Sequence, residues 1–235
     1  MLYLSIDDLA NVFICPQRAK YLEKDEETFG TNYSVYSYIN KEVLDYGLQM
    51  IVATNNLRYN DLYRKFNIVW SEIRKKIKSN FYLNHKLESV NYVNKIYKYL
   101  KNINKILYYN IPRTIEIEEK IIQYRYSYIQ GIDSKNYILV MLDVKYLDEC
   151  NSSFFIDIIG SLLEEDLKDI YKDIDVSILR VKNVSNYLLK YIENSKTYVK
   201  NYLSYIDNDN VMARNEHGMC SVCEYKSKCK WSVSK

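Results

Sequence analysis

Five cysteines, Cys15, Cys150, Cys220, Cys223 and Cys229, are the residues of this 235-residue chain whose type and spacing point most directly to chemistry. Cys220, Cys223 and Cys229 form C-x2-C-x5-C. A C-x2-C turn sets two sulfurs on one side of the backbone, so these three thiolates can wrap a single metal centre that needs one further ligand. Cys15 lies in Ile14-Cys-Pro-Gln-Arg near the opposite terminus and is the natural fourth ligand; its use would clip the two ends of the chain together. A zinc knuckle completed by His217, or a set of unconnected thiols, remains open beside that reading. Cys150 has no partner in sequence and reads as a small buried apolar residue. In an intracellular chain, clustered thiols indicate metal or redox chemistry more than disulfides.

The second constellation is acidic. Gly131-Ile-Asp133 is followed ten residues on by Asp143-Val-Lys145, at the end of the apolar run Tyr137 to Val144 (YILVMLDV). Strand alternation puts Asp143 and Lys145 on one face, and a neighbouring strand could bring Asp133 beside them. Two carboxylates so placed can hold magnesium or manganese, hard ions that prefer oxygen. The ion would polarise a phosphodiester and activate a water, with Lys145 orienting that water or offsetting charge. Taken alone, two acids and a lysine also read as a solvated strand end.

The elements that must position these residues follow from patterning. Ser5 with Asp8 three residues later resembles a capping box, and Ile6, Leu9, Val12 and Phe13 continue at helical spacing until Pro16. Arg18 to Glu23 starts a second helix. From Val35 to Asn110 the pattern is helical; in Asn94 to Tyr109 (NKIYKYLKNINKILYY), Ile96, Leu100, Ile103 and Leu107 mark one face. Pro112 closes that region and the period changes to two. Thr114 to Ile122, Tyr124 to Ile129 and Tyr137 to Val144 read as three strands, with a turn at Gly131 to Asn136. A helix over Ile158 to Tyr171, a short strand over Val176 to Val181 and a long helix over Val184 to Ile206 complete the order. That order predicts an α/β domain with a mixed central sheet flanked by helices. The chain reads as one domain: 35–110 a helical insertion, 112–181 a sheet core, 1–22 and 207–235 the cysteine-bearing ends.

Composition narrows the class. A net charge of +3 excludes a polycation, so any nucleic-acid contact must come from a local patch. The candidates are Lys95, Lys98, Lys101 and Lys105, on the polar side of the 94–109 helix, and Arg74, Lys75 and Lys76 in RKKIK. The 26 tyrosines offer faces on which bases of a single strand could stack. No segment is apolar for long enough to span a bilayer, and Met1 to Ala10 carries acids where a signal peptide needs a basic then apolar run. The expectation is a soluble, cytoplasmic protein.

Together these residues resemble the PD-(D/E)XK nuclease superfamily, most closely its RecB-like iron–sulfur branch, which includes CRISPR-associated exonucleases and the AddB nuclease domain. Leu9 to Leu22 (LANVFICPQRAKYL) is similar to the opening helix of that branch. Gln130 to Asp133 with Leu139 to Tyr146 is similar to its acid–strand–acid-x-Lys core, and Cys220 to Cys229 to its closing triplet. The resemblance implies a restriction-endonuclease-like sheet and catalytic Asp133, Asp143 and Lys145, the two aspartates holding the divalent ion. It also implies a [4Fe-4S] cluster on Cys15, Cys220, Cys223 and Cys229. The implied activity is metal-dependent cleavage of DNA, mainly single strands or ends, in CRISPR adaptation, recombination or viral DNA metabolism, with other DNA-processing proteins as partners. Members near this branch carry a metal-binding histidine on an early helix. Gly30 to Glu42 has none, leaving Tyr36 or Asn40 in its place and His85 as a helix-surface residue. That absence keeps open a non-catalytic module that binds DNA or a partner and uses the cluster as a clip.

Overall fold

The computed structural model describes residues 2–15, 17, 32–75, 82–143, 153–181, 183–187, 189–205 and 229. They form a mixed α/β fold, a six-stranded sheet flanked by helices. Strand β1 (Leu2–Ser5) runs straight into helix α1 (Ile6–Ile14). The chain turns there because Ser5 and Asp8 cap each other. The Ser5 N–H donates to Asp8 Oδ2 at 2.8 Å, and the Asp8 N–H donates to Ser5 Oγ at 3.1 Å. This reciprocal pair satisfies donors that a helix start leaves open. Helix α1 ends at Ile14, ahead of Pro16; the helix expected over Arg18 to Glu23 lies outside the described residues.

Helices α2 (Asn32–Thr54), α3 (Tyr59–Arg74) and α4 (Tyr82–Leu100) cover one face of the sheet. The helical pattern expected to Asn110 stops earlier. Strand β2 (Ile103–Ile117) begins three residues after α4, so Ile103 and Leu107 belong to a strand, and Pro112 lies within it. The run INKILYY is rich in β-branched and aromatic residues, and pairing with β3 (Lys120–Gly131) outweighs its helical spacing. The turn between them falls at Glu118 and Glu119, inside the stretch expected to be a single strand.

Strand β4 (Asn136–Leu142) returns beside β3 after a turn at Ile132 to Ser134, where the sequence placed one. Helix α5 (Ser153–Leu167) then leads to β5 (Asp175–Arg180), parallel to β4, and β6 (Ser185–Tyr187) pairs with β5. The long helix expected over 184–206 is instead β6, a connection, and the nine-residue helix α6 (Ser195–Leu203). Among the described residues, no helix is long and apolar enough to cross a membrane.

Strand β4 is apolar on both faces because both are covered. Ile138, Val140 and Leu142 enter the core shared with α1, α5 and α6. Leu139, with Met141 and Tyr137 beside it, enters the core shared with α2, α3 and α4. Alternation therefore sends the next odd-numbered residue, Asp143, to the α2 side.

Candidate active site

Strand β3 carries two different partners along one edge. Its second half pairs with β4 from Ser127↔Leu139 to Gln130↔Asn136, and its first half pairs with β1 from Leu2↔Lys120 to Ser5↔Gln123. β1 runs parallel to β3 and β4 antiparallel, so the C-terminal ends of β1 and β4 converge at the point where β4 leaves β3. Asp143 and Asp7 meet at this seam: the Asp143 N–H donates to Asp7 Oδ1 at 2.9 Å. Ser37 on α2 donates its hydroxyl to Asp143 Oδ1. Two segments far from it in sequence thus hold the aspartate.

A cavity of about 790 Å³ opens here between α2 and the sheet. Its α2 wall presents Lys41, Asp45 and Leu48, which continue the stripe begun by Ser37 at helical spacing. Its floor includes Thr114 from β2, Gln123, Arg125 and Ser127 from β3, and Met141 from β4. Glu42 is paired with Lys65 at 2.9 Å, and Asp45 accepts the Tyr109 hydroxyl and the Gln49 amide. Burial pushes the Asp7 carboxyl up to about 7, helped by the negative charge of Asp143 and opposed by the Asp143 N–H and by Lys41. Near neutral pH, then, Asp7 sits between its acid and carboxylate forms beside Asp143.

The residues expected from sequence divide. Asp143 lines the cavity, whereas Asp133 does not accompany it. Asp133 lies in the exposed turn before β4, where its Oδ1 accepts the Lys135 N–H at 3.1 Å. The seven residues of β4 separate the two acids, roughly 20 Å of strand. One ion with ligand distances of about 2 Å cannot bridge that span, so the expected Asp133–Asp143 metal pair is corrected. Asp7 is the carboxylate that meets Asp143. Ser5-x-x-Asp8 marked its neighbourhood, but nothing in sequence linked it to residue 143. Lys145 lies outside the described residues.

The two residues expected in place of the early-helix histidine make bonds elsewhere in the fold. Tyr36 donates to Glu88 on α4, and Asn40 donates to the Val181 carbonyl at 3.1 Å. Ser37, between them on the helix, takes that position.

The expected lysine face is not on one helix. Lys95 and Lys98 are on α4, Lys101 is in the turn after it and Lys105 is on β2. Lys95 and Lys101 lie over the rings of Tyr92 and Tyr97, each at 5.0 Å. Arg74 ends α3 and Lys75 is its C-cap, while Lys76 lies outside the described residues. None of the described six lines the cavity.

Cys15 follows α1, half-buried against the core of that face, and Cys229 is half-buried; neither is in a disulfide. Cys150, Cys220, Cys223 and His217 lie outside the described residues. Phe13, two residues before Cys15, packs edge-on against Tyr202 near the end of α6, with ring centroids 4.7 Å apart, and stacks on Phe155 at 5.3 Å. The helix that leads to the C-terminal cysteines therefore ends beside the helix that leads to Cys15.

No protein-family model matches the chain, and no curated protein matches it. Among solved structures it is similar to the one described as "Crystal structure of SSO0001", at 12% identity, covering 100% of this chain and 89% of that chain with a TM-score of 0.41.

Proposed function

We propose that this chain is a divalent-metal-dependent deoxyribonuclease of the RecB-like, restriction-endonuclease-like type, acting mainly on single strands or ends. The observation that carries this reading is Asp143: an acidic residue at the end of an otherwise apolar central strand, lining a cavity, with Asp7 and Ser37 bonded to it and Lys145 two residues on in sequence. The oxygens of Asp143 and Asp7 fit magnesium or manganese. When bound, such an ion polarises a phosphodiester and lowers the pKa of a water. The chain's own contribution is to fix the Asp143 carboxylate through Ser37.

The four cysteines fit a [4Fe-4S] cluster, which is held by thiolates. The Phe13–Tyr202 contact supports this, because it starts the C-terminal segment close to Cys15. The biological setting would be DNA processing: CRISPR adaptation, recombination or viral DNA metabolism.

One observation favours a second reading, a cluster-bearing module that binds DNA or a partner without cutting. Asp133 lies at the far end of β4 from Asp143. The deciding experiment incubates cluster-loaded protein and labelled single-stranded DNA with manganese. Cleavage abolished by Asp143→Ala and by Lys145→Ala supports the nuclease. Binding without cleavage under magnesium and manganese alike establishes the module instead.

A further inference from the structure

Among the described residues, three cations line the cavity: Lys41, Arg113 and Arg125. Arg113 is taken up by Asp166, which binds both its Nε and, through the backbone carbonyl, its Nη2. The other two are not spent in this way. Lys41 is exposed on α2 one turn beyond Ser37 and forms no ion pair with a described residue. Arg125 is exposed on β3, two residues past Gln123 and so on the same face; its Nη1 donates to a neutral carbonyl, that of Asn110, at 3.2 Å. Of the neighbouring acids, Glu42 has Lys65 and Asp45 has the Tyr109 hydroxyl and the Gln49 amide, while Lys41 acts on the Asp7 carboxyl only through its field. Both cations line the same cavity as Asp143, Lys41 from its α2 wall and Arg125 from its floor.

We propose that Lys41 and Arg125 grip the backbone phosphates of a single DNA strand threaded between α2 and the sheet, setting its register at Asp143. This rests on the nuclease reading above and names the residues that hold its substrate. Lysine and arginine are the usual phosphate contacts, and such contacts position a strand without reading its sequence. The cavity suits a single strand: about 790 Å³ lies in the range of roughly 300–1,000 Å³ that accommodates one small ligand, enough for a nucleotide or two. The interface thus lies in the cleft and not on the outer lysines of α4.

The test is fluorescence anisotropy of a labelled oligothymidylate in EDTA, where nothing is cut, with the full cluster-loaded chain across a salt series. Lys41→Ala and Arg125→Ala should each weaken binding by about 5-fold, and each should flatten the log–log salt slope by roughly 0.7. Lys41→Arg should restore most of the loss, and Lys95→Ala should bind as the parent protein does. A duplex of the same length should compete poorly. Parental affinity in a folded Lys41→Ala/Arg125→Ala double variant, or equal competition by duplex, overturns the proposal. The nuclease reading fails separately: a parent protein that binds strands through these residues yet cuts none with manganese refutes the hydrolysis and leaves the strand contact standing.

Discussion

The backbone N–H of Asp143 donates to Oδ1 of Asp7 at 2.9 Å, joining residues 136 positions apart. This bond fastens the end of β4 to the first turn of α1 and brings the Asp7 carboxyl to the backbone of Asp143, both residues lining one cavity. It has a consequence for stability as well as for chemistry.

Asp7 titrates at about 7 in the folded chain, against 3.8 for an ordinary aspartate, chiefly because it is buried. A raised pKa in the folded state means that its favourable contribution is complete below about pH 3.8 and is lost as pH climbs through 7. The full shift corresponds to an upper limit on the order of 4 kcal/mol. Asp7→Asn keeps an oxygen to accept the Asp143 N–H but cannot ionise. In EDTA, thermal melts should show Asp7→Asn above the parent at pH 8, with the gap closing toward pH 4.5. A gap that does not change with pH refutes this assignment.

Ser37 and Asp133 make opposite predictions. Ser37 donates to the Asp143 carboxylate, and partners that orient a metal ligand are worth roughly 10–100-fold in metal affinity. Manganese titration of cleavage by Ser37→Ala should move its midpoint upward by that much. Asp133→Ala should leave the midpoint and the rate within about threefold, because its turn lies a strand's length away (a distance of roughly 20 Å). Loss of activity in Asp133→Ala would instead return that residue to the site.

Phe13 is fully buried, between Phe155 and Tyr202. Truncation to alanine should cost about 3–5 kcal/mol, read as a lower denaturation midpoint. It should also loosen α6 from α1 and reduce iron content and the broad visible absorbance expected of a thiolate-held cluster. Tyr202→Phe keeps the ring and should retain both. Full iron loading in a folded Phe13→Ala protein would show that the aromatic contact does not gather the cysteines.

Gly47 sits where α2 crosses α4. A methyl group there would collide with Leu100 Cδ1 and lie 3.1 Å from Leu62 Cδ2, and both leucines are fully enclosed. Gly47→Ala should destabilise by about 1–3 kcal/mol in urea, the usual cost of overpacking, despite alanine's higher helix propensity. Pairing it with Leu100→Val should recover part of the loss.

Sequence marked several of these parts and missed others for identifiable reasons. The capping pair Ser5 and Asp8 was legible because its partners are three residues apart. The position of Asp143 at the end of an apolar strand was legible for the same kind of reason: burial on both faces writes a continuous apolar run. The boundary between α4 and β2 was not. Ile96, Leu100, Ile103 and Leu107 keep helical spacing across it, and only the availability of β3 as a partner turns the second half into a strand.

What the sequence alone determined is local: the helix start at Ser5, the aromatic-rich strand β3 and the apolar run of β4, the turn carrying Asp133, and the residue types that suit a metal. What only the tertiary structure decided is which carboxylate stands beside Asp143. A turn four residues long already sets Asp133 at one end of β4, but Asp7 reaches the other end only because β1 takes the edge of β3 that β4 vacates. Hydrogen bonds within a turn depend on neighbouring residues, whereas a seam between two strand ends depends on how the whole sheet is ordered.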